Sequence, residues 1–463
     1  MNTLLSPDEI TQLVPLAQAA PDAMAAMRER MQASGQWQPH QLAGRRWNMA
    51  CISLEITQRC NLDCTLCYLS DSAEAVRDFP MEEIFRRIDL IHAHYGSNTD
   101  VQISGGEPTL RKPAELVAIV RRLTQLGMRS SLFTNGIKAT RALLTELAQA
   151  GLTDVAFHVD STQQRAGYTS ETDLNALRHE YIERARGLPI SVFFNTTVHA
   201  GNWADVPQLA AFFVAHADVV RMCSFQLQAD TGRGVLGTRA DAITHDAIWQ
   251  RIQQGAGTAL RTNVLQAGHH DCNRSAVTLV VNGRVHDAFA DAVFIRRFMR
   301  ETADTRFARG TPWRAMRSLV AAAVAQPALA LATLRWLAAL AWQTRADLLA
   351  ARGKVHKLTF FTHNFMDACS LERERLDACI FMAMTHQGPL SMCAYNARRD
   401  HFLLQPLATS SGLWQPLGRR ASQGAGNVHS FPIKLLKGRA RVARQQAQSP
   451  TTTTATTEPE FTS

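Results

Sequence analysis

The sequence predicts an α/β protein in which six strand–helix units are followed by a smaller α+β module. Apolar, β-branched segments alternate with helical segments from about residue 47 to residue 235, which is the pattern of parallel βα units. After that point an Asn-Gly turn between apolar runs indicates an antiparallel hairpin. A chain of 463 residues is long enough for a barrel of about 200–250 residues and a further module.

The six predicted strands are short and apolar, and they span residues 52–57, 101–104, 130–134, 155–159, 190–197 and 219–228. Helix-forming segments such as Met81–Tyr95 lie between them. Ahead of the strands, residues 1–46 are expected to form a helical extension, because the Ser-Pro-Asp-Glu segment at 6–9 has the pattern of a helix start. The βα core is therefore assigned to residues 47–235.

Three cysteines follow the first predicted strand in the spacing C-x3-C-x2-C: Cys60, Cys64 and Cys67. Three thiolates at this spacing can bind three irons of a [4Fe–4S] cluster and leave the fourth iron open. An open iron can bind a small molecule through an amine and a carboxylate. Structural zinc sites use similar spacings, so the motif gains weight only with a second signature.

That signature is the Ser-Gly-Gly-Glu-Pro segment at 104–108, which ends the second predicted strand. Its two glycines allow the backbone to approach a ligand closely, and Glu107 supplies a carboxylate for an ammonium group. The ends of later strands carry further polar candidates, namely Asn135, Asp160 and Asn195. Each of these three can instead cap the helix that follows it.

The cysteine loop and the Gly-Gly-Glu-Pro segment together resemble the radical S-adenosylmethionine (radical SAM) superfamily, whose motif is C-x3-C-x-aromatic-C. Here Leu66 precedes the third cysteine and the aromatic residue follows it as Tyr68. The resemblance implies that the six units form a partial (β/α)6 TIM-like barrel. It also implies which residues bind S-adenosylmethionine (SAM): Tyr68, Gly105, Gly106, Glu107, Pro108, Asn135, Asp160 and Asn195.

The resemblance further implies an enzyme that uses a [4Fe–4S] cluster and SAM. Reductive cleavage of SAM at the cluster would give methionine and a 5′-deoxyadenosyl radical, which abstracts hydrogen from an unactivated C–H bond. Methylation or C–C bond formation on a pterin-like or lipid-like substrate is the expected outcome, with a reductant such as flavodoxin or ferredoxin. A peptide-modifying maturase with an auxiliary cluster and a non-catalytic metal-binding scaffold are the alternatives. No catalytic side chain is assigned.

The C-terminal module, residues 236–410, carries further cysteines at hairpin edges. Cys272 precedes the Asn-Gly hairpin, and Cys379 and Cys393 lie at the open end of a hairpin predicted to turn at Gln387-Gly388. These three are predicted to bind a second iron or iron–sulfur site, with Cys369 as the candidate fourth ligand. Buried thiols in a small sheet are the alternative, and they are the expectation for the two cysteines inside predicted strands, Cys51 and Cys223.

This part of the chain resembles one radical SAM branch, which includes the dihydro-hydroxymethylpterin methyltransferase and the archaeal tetraether lipid synthases. The resemblance is carried by residues 360–367, by Cys379 and by residues 388–396. Members of that branch have additional iron sites in their C-terminal part. The present sequence departs from them, because it has a single C-x3-C-x2-C motif and lacks a cysteine-rich N-terminal module.

An apolar insertion at 313–345 lies between the two predicted hairpins, and arginines flank it. Gln326-Pro327 and Arg335 interrupt its apolar run, which disfavours a membrane span and predicts two helices that meet at the proline. Arginine flanks with Trp313, Trp336 and Trp342 are typical of a helix at a membrane interface. A helical hairpin packed against the barrel is the alternative.

Composition gives the remaining expectations. The net charge is +9, yet no nucleic-acid-binding motif accompanies it, so nucleic acid is not expected as a partner and a small-molecule or lipid substrate is. Nine cysteines and the lack of a secretory pattern at Met1 favour a reducing, cytoplasmic location, with peripheral membrane contact as an open alternative. Residues 411–463 are expected to form a basic, largely disordered tail.

Overall fold

The computed structural model describes residues 3–236, 242–305 and 312–417. The strands are β1 (Cys51–Thr57), β2 (Asp100–Gly105), β3 (Arg129–Thr134), β4 (Asp154–His158), β5 (Ser191–Val198), β6 (Val220–Leu227), β7 (Asn273–Val281), β8 (Arg284–Asp287), β9 (His356–His363), β10 (Phe381–Thr385), β11 (Gly388–Ser391), β12 (Leu407–Thr409) and β13 (Gly412–Trp414). The helices are α1 (Pro7–Gln12), α2 (Ala23–Ala33), α3 (Met81–Tyr95), α4 (Pro113–Gln125), α5 (Arg141–Ala150), α6 (Asn175–Ala185), α7 (Val206–Ala215), α8 (His245–Ala256), α9 (Ala292–Glu301), α10 (Pro312–Ala325), α11 (Pro327–Gln343), α12 (Arg345–Ala350), α13 (Arg373–Asp377), α14 (Met392–Ala397) and α15 (Arg399–Leu403).

One 11-stranded sheet forms the centre of the molecule, in the order β11-β10-β1-β2-β3-β4-β5-β6-β9-β7-β8. The run from β10 through β1–β6 to β9 is parallel throughout. The predicted α/β fold with a parallel sheet is therefore confirmed, and the six predicted strands are its β1–β6. The sheet also gains β9 and β10, two parallel strands that the six-unit prediction did not include.

Aromatic side chains bring the two ends of this parallel run together. The ring of His363 in β9 lies 4.6 Å from the ring of Phe381 in β10, and Phe361 lies 6.5 Å from the same ring. Both strands already have hydrogen-bonded neighbours on each side, so side chains rather than a backbone ladder close the gap. The sheet therefore curls into a barrel in which β9 and β10 contact each other through side chains and not through backbone hydrogen bonds.

The helices that follow the strands bury one apolar face each against this sheet. In α3 that face consists of Ile84, Ile88 and Ile91, whose spacing of four and three residues places them on one side of the helix. They pack in the same cluster as Ile52 and Leu54 of β1. Full burial of each such side chain contributes about 1.5–3 kcal/mol. Packing of this kind fixes the strand ends, and with them the loops that carry the candidate site.

The strands of the C-terminal segment extend the same sheet at both ends. The β7–β8 hairpin turns at Asn282-Gly283, as predicted, with positive φ at both residues. The turn between β10 and β11 is at His386-Gln387, because Thr385 pairs with Gly388. The prediction of a turn at Gln387-Gly388 is thus wrong by one residue. Gly388 instead allows close approach, since a Cβ there would lie 2.3 Å from the carbonyl oxygen of Leu16.

Residues 1–46 follow the expected outline, because they contain α1 and α2 and pair with the C-terminal half through a bridge between Leu4 and Glu372. The predicted start of a disordered tail at 411 is wrong, because Gly412–Trp414 form β13, which pairs with β12, and Leu417 bridges to Val76. The expectation of a basic, disordered tail falls mainly on residues 418–463, which lie outside the described residues.

The apolar insertion forms α10 and α11, which meet at Gln326-Pro327 as the sequence predicts. Among the residues that the structure describes, none of the helices combines the length and the apolar character needed to cross a membrane.

Candidate functional site

The cysteine loop lies at the carboxyl end of the parallel strands, directly after β1. Cys60, Cys64 and Cys67 are each partly buried in it. Two backbone hydrogen bonds anchor the loop to neighbouring strand exits: Thr65 N–H donates to the Thr162 carbonyl at 2.9 Å, and Gly234 N–H donates to the Cys67 carbonyl at 3.2 Å. The loop therefore spans the end of the barrel, between the segments that follow β4 and β6.

The two glycines after β2 pack against the backbone that leads into this loop. Gly105 has φ +132°, and a Cβ there would lie 2.0 Å from the Thr57 carbonyl oxygen. A Cβ on Gly106 would lie 2.2 Å from the Arg59 carbonyl oxygen. The backbone approach that these glycines allow is thus to residues 57–59, immediately before the first cysteine, and the expected approach to a ligand stays a prediction.

Tyr68 connects the cysteine loop to the same turn. Its phenol donates a hydrogen bond of 2.5 Å to the Gly105 carbonyl oxygen. The guanidinium of Arg399 lies 4.7 Å from the Tyr68 ring and pairs with the buried carboxylate of Glu55 in β1. That carboxylate also accepts a hydrogen bond from the Tyr395 phenol at 2.8 Å. A buried, charged network from the C-terminal segment therefore supports the residue after the third cysteine.

Glu107 is fully buried and is mostly satisfied by the protein. Its Oε1 accepts hydrogen bonds from the Thr109 N–H and hydroxyl and from the Thr134 hydroxyl at 2.5–3.0 Å. Its Oε2 accepts from Asn135 N–H at 2.7 Å. Glu107 thus joins the end of β2 to the end of β3. Among the described residues Oε2 has this single partner, so one acceptor direction remains for the predicted ammonium group.

The other predicted SAM-binding residues lie along the same edge of the barrel. Pro108 begins a short 3-10 turn after β2. The Asn135 amide donates to Asn61 in the cysteine loop at 2.7 Å. Asn195 lies in β5 opposite His158 of β4 and is buried. The structure therefore brings the predicted residues of the five strand exits to one end of the sheet, and their contacts with SAM stay predictions.

Asp160 lies at this edge within a buried network of its own. It accepts hydrogen bonds from Thr162 N–H at 3.0 Å and Thr197 N–H at 2.8 Å, so it does cap the turn that follows it. It also accepts a hydrogen bond from the Thr162 hydroxyl and contacts the His158 Nε2 atom at 2.6 Å. Burial alone would lower the pKa of His158, but the Asp160 carboxylate outweighs burial and the pKa is raised. The same pairing overcomes burial at Asp160 and holds its pKa well below the ordinary value.

A buried arginine lies beside the third cysteine. Arg233 follows β6, is almost completely buried and forms an ion pair with Glu74 at 3.0 Å. Burial raises the pKa of Cys67, while the Arg233 guanidinium opposes that rise. Burial is also the main reason why the pKa of Cys64 is well above its ordinary value. Thiolates in this loop therefore need positive charge beside them, which Arg233 supplies in part and an iron centre would supply in full.

The donor set of the loop suits a cluster better than a single ion. Zn–S bonds of about 2.3 Å in a tetrahedral site place sulfur atoms about 3.8 Å apart. In the described part of the chain, three ligand atoms lie within 4.8 Å of one another only in the group His269, His270 and Asp271. The three sulfur atoms of the loop therefore do not all lie within 4.8 Å of one another, whereas a [4Fe–4S] cluster takes one thiolate at each of three separate irons.

A second group of cysteines lines one small cavity of about 20 Å³. Its walls include Cys272, Cys379, Cys393, His269 and Arg375. Arg375 Nε donates a hydrogen bond to the Cys272 sulfur at 3.4 Å, and burial raises the pKa of that thiol to about 11. Burial and then the neighbouring thiols of Cys379 and Cys272 raise the pKa of Cys393. The three cysteines that the sequence groups together are thus neighbours in space.

The remaining cysteines lie elsewhere. Cys369, the candidate fourth ligand, is exposed and does not line this cavity, whereas His269 does. The short helix α13 separates Cys369 from Cys379 in the sequence. Cys51 and Cys223 are buried in β1 and β6, as expected for core thiols.

Four site residues were not found from the sequence. Arg233 follows the sixth strand, so the rule that located Asp160 and Asn195 at strand exits also applies to it. His158 is the last residue of β4 and lies two positions before Asp160, so the strand-exit rule applies to it as well. Arg375 and Arg399 gave none, because they reach the site from short helices far along the chain.

Comparison with known proteins agrees with this geometry. The sequence model of the Radical SAM superfamily matches residues 54–213. A 7,8-dihydro-6-hydroxymethylpterin dimethyltransferase of Methanocaldococcus jannaschii is 28% identical over 187 residues, which cover 39% of this chain and 37% of that protein. A PqqA peptide cyclase of Xanthomonas euvesicatoria is 32% identical over 167 residues, which cover 35% of this chain and 43% of that protein. The matches thus span less than half the length of either relative.

Among solved structures, the FeFe-hydrogenase maturase HydG from Carboxydothermus hydrogenoformans matches with a TM-score of 0.36 at 13% identity. That match covers 50% of this chain and 55% of the maturase. The superfamily uses a [4Fe–4S] cluster and SAM, and these are the cofactors that the cysteine loop and the adjoining strand exits fit. The Radical SAM superfamily model thus matches the part of this chain, residues 54–213, that contains the cysteine loop and the exits of β2–β5.

Proposed function

We propose that this protein is a radical SAM enzyme that removes a hydrogen atom from an unactivated C–H bond of its substrate. The bound cofactors would supply the chemistry: one electron from the reduced [4Fe–4S] cluster cleaves SAM into methionine and a 5′-deoxyadenosyl radical. The observation that supports the proposal is the packing of the cysteine loop against the Gly105-Gly106 turn at the carboxyl end of a parallel barrel. Neither motif alone supports it as well as their contact does.

The residues of the chain have separate tasks in this proposal. Cys60, Cys64 and Cys67 bind the cluster, and Arg233 offsets part of the negative charge of their thiolates. Tyr68 and Asn135 hold the cysteine loop to the exits of β2 and β3 through their hydrogen bonds to Gly105 and Asn61. SAM is held by the predicted residues of the strand exits, with its ammonium group at Glu107. A rigid site of this kind excludes water and keeps the reacting groups in position.

We propose a pterin-like or lipid-like small molecule as the substrate, with methylation or C–C bond formation as the outcome. The support is the dihydropterin methyltransferase among the relatives, together with the C-terminal motif at 388–396. A peptide substrate is the alternative, because a peptide cyclase is also among the relatives. The Cys272, Cys379 and Cys393 group would bind a second iron centre in either case, since three thiols line one cavity.

We further propose a reductant such as flavodoxin or ferredoxin as the electron donor, and a cytoplasmic protein that contacts the membrane peripherally. The arginine-flanked helices α10 and α11 support the membrane contact.

Anaerobic reconstitution with iron, sulfide, SAM and dithionite tests the function directly. Wild-type protein should release 5′-deoxyadenosine and methionine, and the Cys60→Ala/Cys64→Ala/Cys67→Ala variant should release neither. The Cys369→Ala variant is the matched control, because that exposed thiol lies outside both cysteine groups and should leave cleavage unchanged. No 5′-deoxyadenosine from cluster-loaded wild-type protein would leave only a metal-binding scaffold.

A further inference from the structure

Helices α10 and α11 both expose large apolar side chains, and these form the outer apolar face of the hairpin. In α10 the exposed apolar residues recur at spacings of three and four, which places them on one side of the helix. They are Trp313, Met316, Val320 and Val324, with exposed fractions of 53–77%. In α11 the exposed apolar residues are Leu331, Leu334, Leu337 and Trp342, at 47–68%. Single exposed apolar residues are ordinary, but eight on two adjacent helices mark a binding surface.

The opposite face of this hairpin already has a partner. The Trp336 ring of α11 stacks on Phe294 of α9 at 5.3 Å, and Leu329 is buried in the same small cluster. The Gln326 side chain donates to the Glu301 carbonyl at 2.9 Å and fixes the bend between the helices. Packing against the rest of the protein therefore accounts for the inner face only, and the outer apolar face needs a different explanation.

The charge around this face is mainly positive. Where the structure describes the side chains of residues 292–345, they include six arginines and no lysine, against the two acids Glu301 and Asp304. The six are Arg296, Arg297, Arg300, Arg317, Arg335 and Arg345. Guanidinium groups bind phosphate through paired hydrogen bonds and carry long apolar stems that lie along apolar surface.

An open groove of about 540 Å³ between α9 and α11 also combines apolar side chains with arginines. Its lining includes Phe294, Trp336 and Leu340, two arginines, Arg297 and Arg335, and one acid, Asp291. An apolar lining beside guanidinium groups suits an amphiphile with a negative head group. A soluble protein partner would require acidic residues placed opposite each arginine, whereas an anionic lipid surface offers phosphate at every position.

We propose that α10 and α11 lie in the interface of an anionic phospholipid bilayer, with the outer apolar face among the acyl chains and the arginines at the phosphates. Trp313 and Trp342 would lie at the head-group level, where amphipathic rings are favoured. The proposal stands apart from the radical chemistry, because it needs only the folded chain.

Vesicle flotation of the full-length chain tests the proposal. Wild-type protein should float with phosphatidylcholine vesicles that contain phosphatidylglycerol and bind pure phosphatidylcholine at least about tenfold more weakly. The Leu334→Glu/Leu337→Glu variant should lose about tenfold or more in binding to the anionic vesicles. Both side chains are exposed, so the variant keeps the packing of the folded protein.

Val14→Glu/Leu413→Glu is the matched control, since these apolar residues are equally exposed but lie outside the hairpin. It should float like wild type. Equal flotation of the two double variants would overturn the proposal and assign binding to the basic tail or another surface. Light scattering tests whether a second copy of the chain covers this face instead. A wild-type protein that is a dimer and does not bind vesicles, together with a monomeric Leu334→Glu/Leu337→Glu variant, would show that arrangement and overturn the proposal.

Discussion

The phenol of Tyr68 donates a 2.5 Å hydrogen bond to the carbonyl oxygen of Gly105, which joins the residue after the third cysteine to the first glycine of the neighbouring turn. Tyr68→Phe removes this hydrogen bond and keeps the aromatic ring. We expect the variant to keep the iron content of wild type but to bind SAM several-fold more weakly, since one net hydrogen bond contributes about 0.5–1.5 kcal/mol. Iron analysis and SAM titration measure the two quantities.

Tyr95→Phe is the control for this prediction. Its phenol is buried at the end of α3, on the opposite edge of the barrel, and has no hydrogen-bond partner among the described residues. Removal of that hydroxyl should change neither iron content nor SAM affinity. Equal effects of the two variants would show that the Tyr68–Gly105 bond has no special part in the site.

Much of the fold could be predicted because the local pattern agrees with the global structure. The predicted segment at 52–57 is apolar or β-branched at every position except Ser53 and Glu55, and it is β1. The barrel closure could not be predicted, because His363 and Phe381 lie on the two end strands of a run of eight parallel strands and are in contact only in the folded barrel. Short segments such as β10 have no pattern that distinguishes a parallel strand at the barrel edge from half of an isolated hairpin.

The candidate site likewise has a part that the sequence predicts and a part that it does not. Cys60, Cys64 and Cys67 are recognised by spacing, because all three ligands lie on one loop. Long-range partners such as Arg399, which reaches Glu55 across 344 positions of the sequence, have no local signal. The role of Glu107 was also incomplete in the sequence, since its four protein donors come from two different strand exits.

Gly106→Ala is expected to destabilise the site by direct collision. The added Cβ would lie 2.2 Å from the Arg59 carbonyl oxygen, which belongs to the backbone before Cys60 and cannot rotate away. Overpacking of this kind costs about 1–3 kcal/mol. Urea denaturation should show that loss, and reconstituted iron content should fall. Gly187→Ala is the control: its φ of +79° adds backbone strain, but open space surrounds the position, so iron content should not change.

Iron content should separate the two cysteine groups. Anaerobically purified wild-type protein should contain more iron than the four atoms of one [4Fe–4S] cluster, and the Cys272→Ala/Cys379→Ala/Cys393→Ala variant should return to about four. Cys369→Ala should leave the wild-type value unchanged, because that exposed thiol does not line the shared cavity. About four irons in all three proteins would contradict a second iron centre.

The buried pair of Glu55 and Arg399 should show strong coupling. Both side chains are less than 5% exposed, so Arg399→Met leaves a buried carboxylate without its cation. We expect a loss of about 3–5 kcal/mol in the free energy of unfolding, most of which Glu55→Gln in the same chain should recover. The exposed pair of Arg122 and Asp89 is the control, and Arg122→Met should cost less than about 1 kcal/mol. Additive effects of Glu55→Gln and Arg399→Met would contradict the coupling.

His158 and Asp160 should make stability depend on pH in a defined direction. The pKa of His158 is raised in the folded protein, because the Asp160 carboxylate at 2.6 Å outweighs the opposing effect of burial. A raised histidine pKa stabilises the fold fully below the ordinary value of about 6.5, and this contribution disappears as the pH rises through the folded pKa. Asp160 has a depressed pKa, so its own contribution is lost only on acidification below the ordinary range of an aspartate.

Urea denaturation under anaerobic conditions between about pH 6 and pH 9 measures this effect. The free energy of unfolding should fall as the pH rises across that window, and His158→Gln should remove the fall together with part of the stability. The neighbouring His199 does not produce the same fall in stability, because burial lowers its pKa. Its contribution to the pH dependence therefore lies at the acid end of the measured range. His401→Gln, at an exposed position, should keep the wild-type profile. A wild-type pH profile in His158→Gln would show that the imidazole is neutral in the folded protein and that the pair is an ordinary hydrogen bond.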